Sequence, residues 1–375
     1  MRWALFRFIT LFVFLVNSVN IALADQIEVS SFYGNYDTSM KKIGQQSLSL
    51  RGPRIETWNT SVQTQKPYTI GVLLPNLQDS YWVAVNYGIM RQAEESNIAV
   101  KVVDARGYKN LETQQKQLRD FLRSDIDGLI LGSISYTKNN RLIKEITNSG
   151  IPVVALVNDV EAENISAKSM VSYYDMGFFT GEYVAEQETT SDKELNVIFL
   201  PGPKGSGWAD EALAGFQAAT EFTSKKINIT EILWGDTDTD SQSALLKKAL
   251  KSHPSTDYII GNAVAAEAAL ELVKQSGSSA KIAATYITPA IFEAIRAGKI
   301  VAAPSDMASA QARIALGMLC NLLEGQKAGA DFPFRAGPLI PVITTGNINK
   351  YTFEDLFGPV GYKPVFQWPP LPSEK

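Results

Sequence analysis

The feature that most constrains the fold is a regular alternation of short apolar runs with longer segments of helical periodicity. The apolar runs of strand length are 68–74, 99–103, 128–131, 152–157, 170–172, 196–200, 229–233, 258–261, 281–285 and 300–303, and the helical segments include 111–123, 140–149, 175–187, 208–220, 241–252, 264–276 and 308–323. Strands connected through helices form parallel sheets with helices on both faces. About ten strands exceed one sheet of ordinary width, so the sequence predicts an α/β protein with two lobes.

The N-terminal 24 residues have the pattern of a secretory signal. Arg2 and Arg7 precede the apolar run 11–16, and Ala-Leu-Ala at 22–24 supplies small residues for cleavage. The apolar run is too short to span a bilayer, and no later run approaches the ~20 apolar residues that spanning requires. We therefore predict a cleaved signal peptide, residues 1–24, and an exported mature chain.

Composition and charge exclude several functional classes. The chain has a formal charge of −4, which becomes −6 without Arg2 and Arg7, and no basic stripe is present, so we expect no nucleic-acid partner. The single cysteine, Cys320, and the single histidine, His253, allow neither a disulfide nor a cysteine or histidine metal site, and they argue against a Ser-His-Asp triad. We predict a protein without cofactor, metal or catalytic activity.

The two ends of the mature chain differ from the alternating region. Residues 25–66 are polar, with scattered Tyr33, Tyr36 and Trp58. These aromatics predict an N-terminal arm draped on the first lobe, and a partly disordered arm is the alternative. The C-terminal extension, 346–375, is rich in proline at its end, so we expect it to pack in an extended form along the surface.

The stretch 68–88 contains the first indication of a binding site. Its apolar run breaks at Pro75, and the next helix opens on Tyr81 and Trp82. α/β proteins hold ligands where strands end and helices begin. Two large aromatic side chains at this position therefore predict the wall of a pocket.

Several segments resemble the ribose-type periplasmic binding proteins. TIGVLLPNLQDSYW resembles the first strand and loop of that family, GIPVVAL an inter-sheet strand, and GFQAAT, AAEAAL and ITPAIFEAIRAGKI the second lobe. The resemblance implies a type I periplasmic binding protein, in which two Rossmann-like lobes with parallel sheets are joined by a three-strand hinge and close on a ligand. It implies crossings near 171–172, 305–306 and 336–337. Lobe 1 would comprise 67–171 plus 307–336, and lobe 2 would comprise 172–306 plus 337–345.

The ligand positions implied by this resemblance depart from those of sugar binders. Val157-Asn158 replaces a charged Asp-Arg pair, and Asp210 replaces an arginine. Tyr286 replaces an aspartate, and Asp306 replaces a hinge glutamine. A sugar needs many fixed polar partners for its hydroxyl groups, so these changes argue against a sugar ligand.

Aromatic side chains take the place of those polar partners. The candidate ligand-binding residues are Asp79, Tyr81, Trp82, Tyr108, Asn158, Tyr173, Tyr174, Trp208, Asp210, Tyr286 and Asp306. Several π faces with carboxylates nearby suit a methylated ammonium centre, because each desolvated cation–π contact contributes about 2 kcal/mol. The alternative is that some of these aromatics only pack under loops.

A narrower resemblance concerns LQDSYWVAVNYG, ARGYKNLETQQKQL and VIFLPGP. These segments are similar to periplasmic sensor proteins that bind trimethylamine N-oxide and present it to a membrane sensor histidine kinase. The resemblance implies a periplasmic protein with trimethylamine N-oxide as ligand and the periplasmic sensor domain of a histidine kinase as partner. The alternative within the same fold is the substrate-binding component of an ABC transporter for choline, betaine or another methylated amine.

Overall fold

A computed structural model describes residues 26–40, 47–62, 64–188 and 193–369. The predicted signal peptide, 1–24, lies outside these ranges. Within them the strands are β1 (Gln26–Tyr33), β2 (Arg51–Asn59), β3 (Thr69–Leu74), β4 (Ala99–Asp104), β5 (Gly128–Leu131), β6 (Val153–Leu156), β7 (Ala167–Ser169), β8 (Leu195–Leu200), β9 (Ile227–Ile232), β10 (Tyr258–Gly261), β11 (Lys281–Ala284), β12 (Ala302–Pro304), β13 (Arg335–Pro338), β14 (Val342–Thr344) and β15 (Gln367–Trp368). The helices are α1 (Ser80–Ser96), α2 (Leu111–Leu122), α3 (Asn140–Asn148), α4 (Tyr173–Gln187), α5 (Trp208–Phe222), α6 (Thr239–Ser252), α7 (Ala263–Ser276), α8 (Pro289–Arg296), α9 (Ala308–Leu323) and α10 (Phe353–Phe357).

The larger sheet has the strand order β15-β4-β3-β5-β6-β7-β13-β1-β2. Strands β4, β3, β5, β6, β7 and β13 are parallel, with Ile70 opposite Val100 and Val72 opposite Ile130. Strands β5 and β6 are apolar and buried throughout, as expected for parallel strands covered on both faces. Helices α1 and α9 pack closely beside this sheet, because Gly88 has no side chain and its helix can approach the backbone of Ser309.

The second parallel sheet has the order β11-β10-β8-β9, and β12 pairs antiparallel with β14. Helices α4 and α5 contact each other closely beside it. A Cβ atom at Gly215 would lie 1.8 Å from the carbonyl oxygen of Tyr174, so only glycine permits this approach. Alternating strands and helices in two mainly parallel sheets confirm the predicted α/β fold class.

Two elements outside the alternating region complete the larger sheet. In the segment expected as an arm, β1 and β2 form an antiparallel pair that extends the sheet beyond β13, with Ser30 opposite Gly337. At the other edge, β15 in the C-terminal extension pairs with β4. The polar character of the first segment conceals its strands, because β2 lies at the sheet edge and most of its residues are exposed.

Candidate ligand-binding site

A small cavity lies where loops at the carboxyl ends of strands in both parallel sheets meet the first turns of three helices. Its volume is about 20 Å³. Its lining residues are Asp79, Tyr81, Trp82, Tyr108, Val157, Asn158, Tyr173, Trp208, Thr237 and Tyr286. Eight of the eleven residues selected from the sequence are among them. Carboxyl ends of parallel strands are where α/β proteins commonly hold ligands.

The first turn of α1 is fixed by its N-cap. Asp79 has an extended backbone, and its carboxylate accepts a hydrogen bond of 3.0 Å from the backbone N–H of Tyr81. This cap begins the helix so that Tyr81 and Trp82 both face inward, and both are buried. Burial raises the pKa of Asp79, and the hydrogen bond from Tyr81 opposes part of the rise.

Four aromatic side chains form a closed ring around the cavity, which we call the cage: Tyr81, Tyr286, Trp208 and Tyr173. The ring centroids of Tyr81 and Tyr286 are 5.6 Å apart at 77°, and those of Tyr286 and Trp208 are 5.8 Å apart at 90°. Trp208 and Tyr173 follow at 6.1 Å and 52°, and the hydroxyl oxygens of Tyr173 and Tyr81 lie 3.4 Å apart. Steeply inclined neighbouring rings give a box whose π faces suit a compact group with positive charge.

Hydrogen-bond donors converge at one corner of the cavity. Asn158 Nδ2 donates to the Tyr108 hydroxyl at 3.0 Å and to the Ser133 carbonyl at 2.7 Å. Burial raises the pKa of Tyr108, and Asn158 together with the indoles of Trp82 and Trp208 opposes this rise. The buried indole nitrogen of Trp208, although near enough to influence Tyr108, has no hydrogen-bond partner of normal geometry within the described part of the chain. An acceptor atom of a ligand would satisfy it.

Two of the lining residues, Val157 and Thr237, were not among the eleven candidates, although the family resemblance placed Val157 at a ligand position. Val157 has φ 65°, a left-handed conformation that is costly for a β-branched residue. The backbone N–H of Asn158 reaches the carbonyl of Leu156 at 2.7 Å, so Val157 is the centre of a strained three-residue turn. Such strain is retained where the surrounding structure requires it, often at binding sites. Only the backbone conformation could have shown it.

Three residues selected from the sequence do not line the cavity. Tyr174 lies next to Tyr173 on α4 but is half-buried beside α5. Asp210 accepts hydrogen bonds from the backbone N–H groups of Gly205 at 2.9 Å and Gly207 at 3.4 Å, and so organises the glycine loop before Trp208. Asp306 is buried behind Tyr81 and accepts a hydrogen bond from its hydroxyl.

The carboxyl group of Asp306 has an unusual environment. Burial raises its pKa to about 6, although hydrogen bonds from Tyr81 and Gln311 favour the charged form. Burial also raises the pKa of Tyr81 and of Tyr173 well above their ordinary value, and the charge of Asp306 adds to the rise. At neutral pH the cage therefore has neutral tyrosines in front of a buried carboxylate.

The fold and the cavity are those of a protein that binds small ligands. Comparison with known proteins supports this class. Residues 70–327 match the family described as periplasmic binding protein domain. The chain therefore belongs to the periplasmic binding protein family. Among the described residues, no helix has the length and apolar character needed to cross a membrane.

Within that family, the narrower resemblance seen in the sequence is to the periplasmic protein TorT, and it is confirmed. TorT of Escherichia coli (strain K12) is 30% identical over 308 residues, which cover 82% of this chain and 87% of that protein. A crystal structure of the TorS sensor domain–TorT complex in the presence of trimethylamine N-oxide has 27% identity and a TM-score of 0.71, covering 80% of this chain and 99% of that chain. These matches also confirm the predicted periplasmic location.

A second solved relative is an ABC transporter solute binding protein from Bradyrhizobium sp. BTAi1 with bound bis-tris. It is 32% identical, has a TM-score of 0.75, and covers 91% of this chain and 98% of that chain. The relatives therefore include both a protein crystallised with a sensor domain and a solute binding protein of an ABC transporter.

Proposed function

We propose that this protein binds trimethylamine N-oxide in the cage and presents the bound state to the periplasmic sensor domain of a histidine kinase, without chemical change to the ligand. The observation that carries the proposal is the closed ring of four aromatic side chains beside the unpartnered indole N–H of Trp208. No group in this cavity supplies a nucleophile paired with a base, so the proposal is binding alone.

The ligand and the cavity agree in shape and charge. Trimethylamine N-oxide has three methyl groups on a positively charged nitrogen, which suit the π faces of Tyr81, Trp208 and Tyr286. Its oxide is a strong acceptor and needs one or two donors. The indole of Trp208 and the hydroxyl of Tyr108 lie at the corner where the oxide would be placed.

The size of the ligand limits its affinity. With about five heavy atoms and at most roughly 1.5 kcal/mol from each, the binding free energy cannot much exceed about 7.5 kcal/mol. The corresponding dissociation constant is no tighter than a few micromolar. A sensor can operate with such an affinity.

The signalling part of the proposal is supported by the TorT relatives and by the position of the cavity. TorT has been crystallised with the TorS sensor domain both without ligand and with trimethylamine N-oxide. In the present protein the cage combines loops from both parallel sheets, so a ligand that contacts all four rings favours the closed arrangement. Closure would alter the surface that is offered to the partner.

A second candidate function is delivery of choline, betaine or another methylated amine to an ABC transporter. The Bradyrhizobium solute binding protein favours it, because that relative covers 91% of this chain and was crystallised with bis-tris, a tertiary amine. An aromatic cage accommodates several alkylated ammonium groups. The two candidates differ in whether the ligand must have an oxide.

The test is isothermal titration calorimetry on residues 25–375 with trimethylamine N-oxide, trimethylamine, choline, glycine betaine and ribose. Micromolar binding of the N-oxide, with much weaker binding of the others, is the expected result. Preference for choline or betaine would instead favour the second candidate function, delivery of a methylated amine to an ABC transporter. Absence of binding by every compound would contradict the role of the cage.

A further inference from the structure

A chain of buried hydrogen bonds extends from the cage to a connection between the sheets. The Tyr81 hydroxyl donates to Asp306 Oδ2, and Gln311 Nε2 donates to the same oxygen at 2.8 Å and to the Asp306 carbonyl at 2.8 Å. Gln311 Oε1 accepts from the backbone N–H of Val171 at 3.3 Å. Val171 lies in the connection from β7 to α4, two residues before the cage residue Tyr173.

We call this chain of hydrogen bonds, from Tyr81 through Asp306 and Gln311 to Val171, the relay. It supports two walls of the cage on the side away from the cavity. Asp306 and Gln311 are buried, and neither contributes to the cavity lining. Tyr81 and Tyr173, whose hydroxyl groups lie 3.4 Å apart, meet at this carboxylate from α1 and α4. The relay therefore connects the orientation of the cage rings to the position of the β7–α4 connection.

We propose that Asp306 is a positioning residue whose ionised carboxylate, held by Gln311, fixes the Tyr81 and Tyr173 walls of the cage, so that ligand affinity depends on the charge of this buried group. This inference rests on the proposed function, because it concerns the same cavity. It adds a residue that does not touch the ligand and a dependence of binding on protonation.

The hydrogen-bond pattern favours the ionised form. A carboxylate can accept from both the Tyr81 hydroxyl and the Gln311 amide, which are donors. Protonation at Oδ1 leaves Oδ2 as a neutral, weaker acceptor of the same two bonds, so the group holds Tyr81 and Gln311 less firmly. Among the described residues, the other oxygen, Oδ1, is buried without a hydrogen-bond partner.

The groups that face Asp306 can be named for each element packed against it. They are Tyr81 from α1, Tyr173 from α4 and Gln311 from α9. Of these, only the tyrosines titrate, and both have a pKa far above the neutral range. Asp79, whose pKa burial also raises, lines the same cavity, so a change of cage geometry in mildly acidic solution is assigned to Asp306 by its loss in Asp306→Asn.

The first experiment needs no ligand. The intrinsic tryptophan fluorescence of residues 25–375 is titrated from pH 8 to pH 4.5, because Trp82 and Trp208 lie in the cavity wall and respond to its geometry. We expect a transition with a midpoint near 6 in the unsubstituted protein, its loss in Asp306→Asn, and its retention in Glu267→Gln. Glu267 is the matched control, since it is another carboxyl group with a pKa raised by burial but lies outside the cavity lining.

A second variant keeps the test decisive if Asp306→Asn folds poorly. Tyr81→Phe retains the ring and removes the hydrogen bond that favours the charged carboxyl group, so the midpoint should move upward. An unchanged midpoint in Tyr81→Phe, or a transition that persists in folded Asp306→Asn, would overturn the inference.

Calorimetry with trimethylamine N-oxide at pH 7.5 and pH 5 then tests the link to affinity. About one tenth of a group with pKa 6 is ionised at pH 5, so affinity should fall about tenfold in the unsubstituted protein. In Asp306→Asn it should be weak and equal at both pH values. Equal acid sensitivity in both proteins would refute the role of Asp306 while leaving the proposed ligand intact, whereas absence of binding at pH 7.5 would reject the ligand and leave the fluorescence result to decide this inference.

Discussion

Trp208 and Tyr286 stand perpendicular to each other, with ring centroids 5.8 Å apart, at the carboxyl ends of two strands of the smaller parallel sheet. Tyr286 also lies 5.6 Å from Tyr81, which begins the first helix after a strand of the larger sheet. Each sheet contributes only part of the cage. The cage is therefore complete only when the loops of the two sheets approach each other.

The first prediction concerns the π face of Tyr286. Replacing Tyr286 by leucine should keep an apolar wall but remove one cation–π contact, which costs about 2 kcal/mol, or about 30-fold in affinity for trimethylamine N-oxide. Calorimetry measures the change, with tert-butanol as a neutral ligand of similar shape. The control is Tyr183→Leu, a partly buried tyrosine outside the cavity lining. Similar losses for both ligands would show that the ring acts only through packing.

The second prediction concerns the indole N–H of Trp208. Trp208→Phe retains an aromatic wall but removes the buried donor, which has no hydrogen-bond partner of normal geometry among the described residues. A hydrogen bond to a charged acceptor contributes about 1.5–3 kcal/mol, so binding of the N-oxide should weaken by at least about tenfold. Tetramethylammonium, which has no oxide, should be much less affected. Trp234→Phe is the control, because that indole lies outside the cavity lining, and equal effects on both ligands would contradict an oxide contact.

Particular residues show how much of the site can be predicted from the sequence. Tyr81 and Trp82 could be chosen because strand-to-helix junctions in α/β folds have known positions relative to the sheet. Asp210 and Tyr174 could not be separated from the cavity-lining residues beside them, because a single step along a helix changes the face on which a side chain lies. The sequence predicts which segments contribute to the site, and side-chain packing determines which residues of each segment face the cavity.

The remaining differences arise from long-range pairing and local backbone geometry. Strands β1 and β2 contain polar and exposed residues, and their place in the sheet depends on pairing with β13 about 300 residues away, for which the local pattern has no signal. The family resemblance places Val157 at a ligand position, but its left-handed conformation, which valine rarely adopts, has no signal in the sequence.

The third prediction concerns an ion pair beside the cavity. Lys109 Nζ lies 3.4 Å from Asp236 Oδ2, and these residues adjoin the cavity-lining Tyr108 and Thr237 respectively. Lys109 is 74% exposed, so the pair should contribute little to overall stability, and Lys109→Met should raise the ligand dissociation rate only about two- to fivefold. Stopped-flow fluorescence in low salt measures this rate, and 0.5 M salt should remove the difference. Lys116→Met, which breaks a pair within α2, is the control.

The fourth prediction concerns the close contact of α4 with α5. In Gly215→Ala the new methyl group would overlap the Tyr174 carbonyl, which lies 1.8 Å from the ideal Cβ position, and the helices must separate. Overpacking of this kind costs about 1–3 kcal/mol, so the free energy of unfolding should fall by that amount in a urea titration. Gly346→Ala is the matched control, because its Cβ would meet only the Thr344 hydroxyl at 3.6 Å. Equal stability of the two variants would show that the helices accommodate the methyl group.

The fifth prediction is that Asp306 lowers the free energy of unfolding at neutral pH, where by our proposal its ionised carboxylate fixes the walls of the cage. The folded protein retains the carboxyl proton up to about pH 6, whereas the unfolded chain releases it near 3.8. The protonated group therefore makes its full contribution to the free energy of unfolding below about pH 3.8. This contribution declines as the pH rises and is lost above about pH 6. Two pKa units correspond to about 3 kcal/mol, so the unfolding free energy of Asp306→Asn minus that of the unsubstituted protein should rise by up to that amount between pH 4 and pH 7. Urea titrations at several pH values measure this difference, and a constant difference would mean that Asp306 does not titrate in this range.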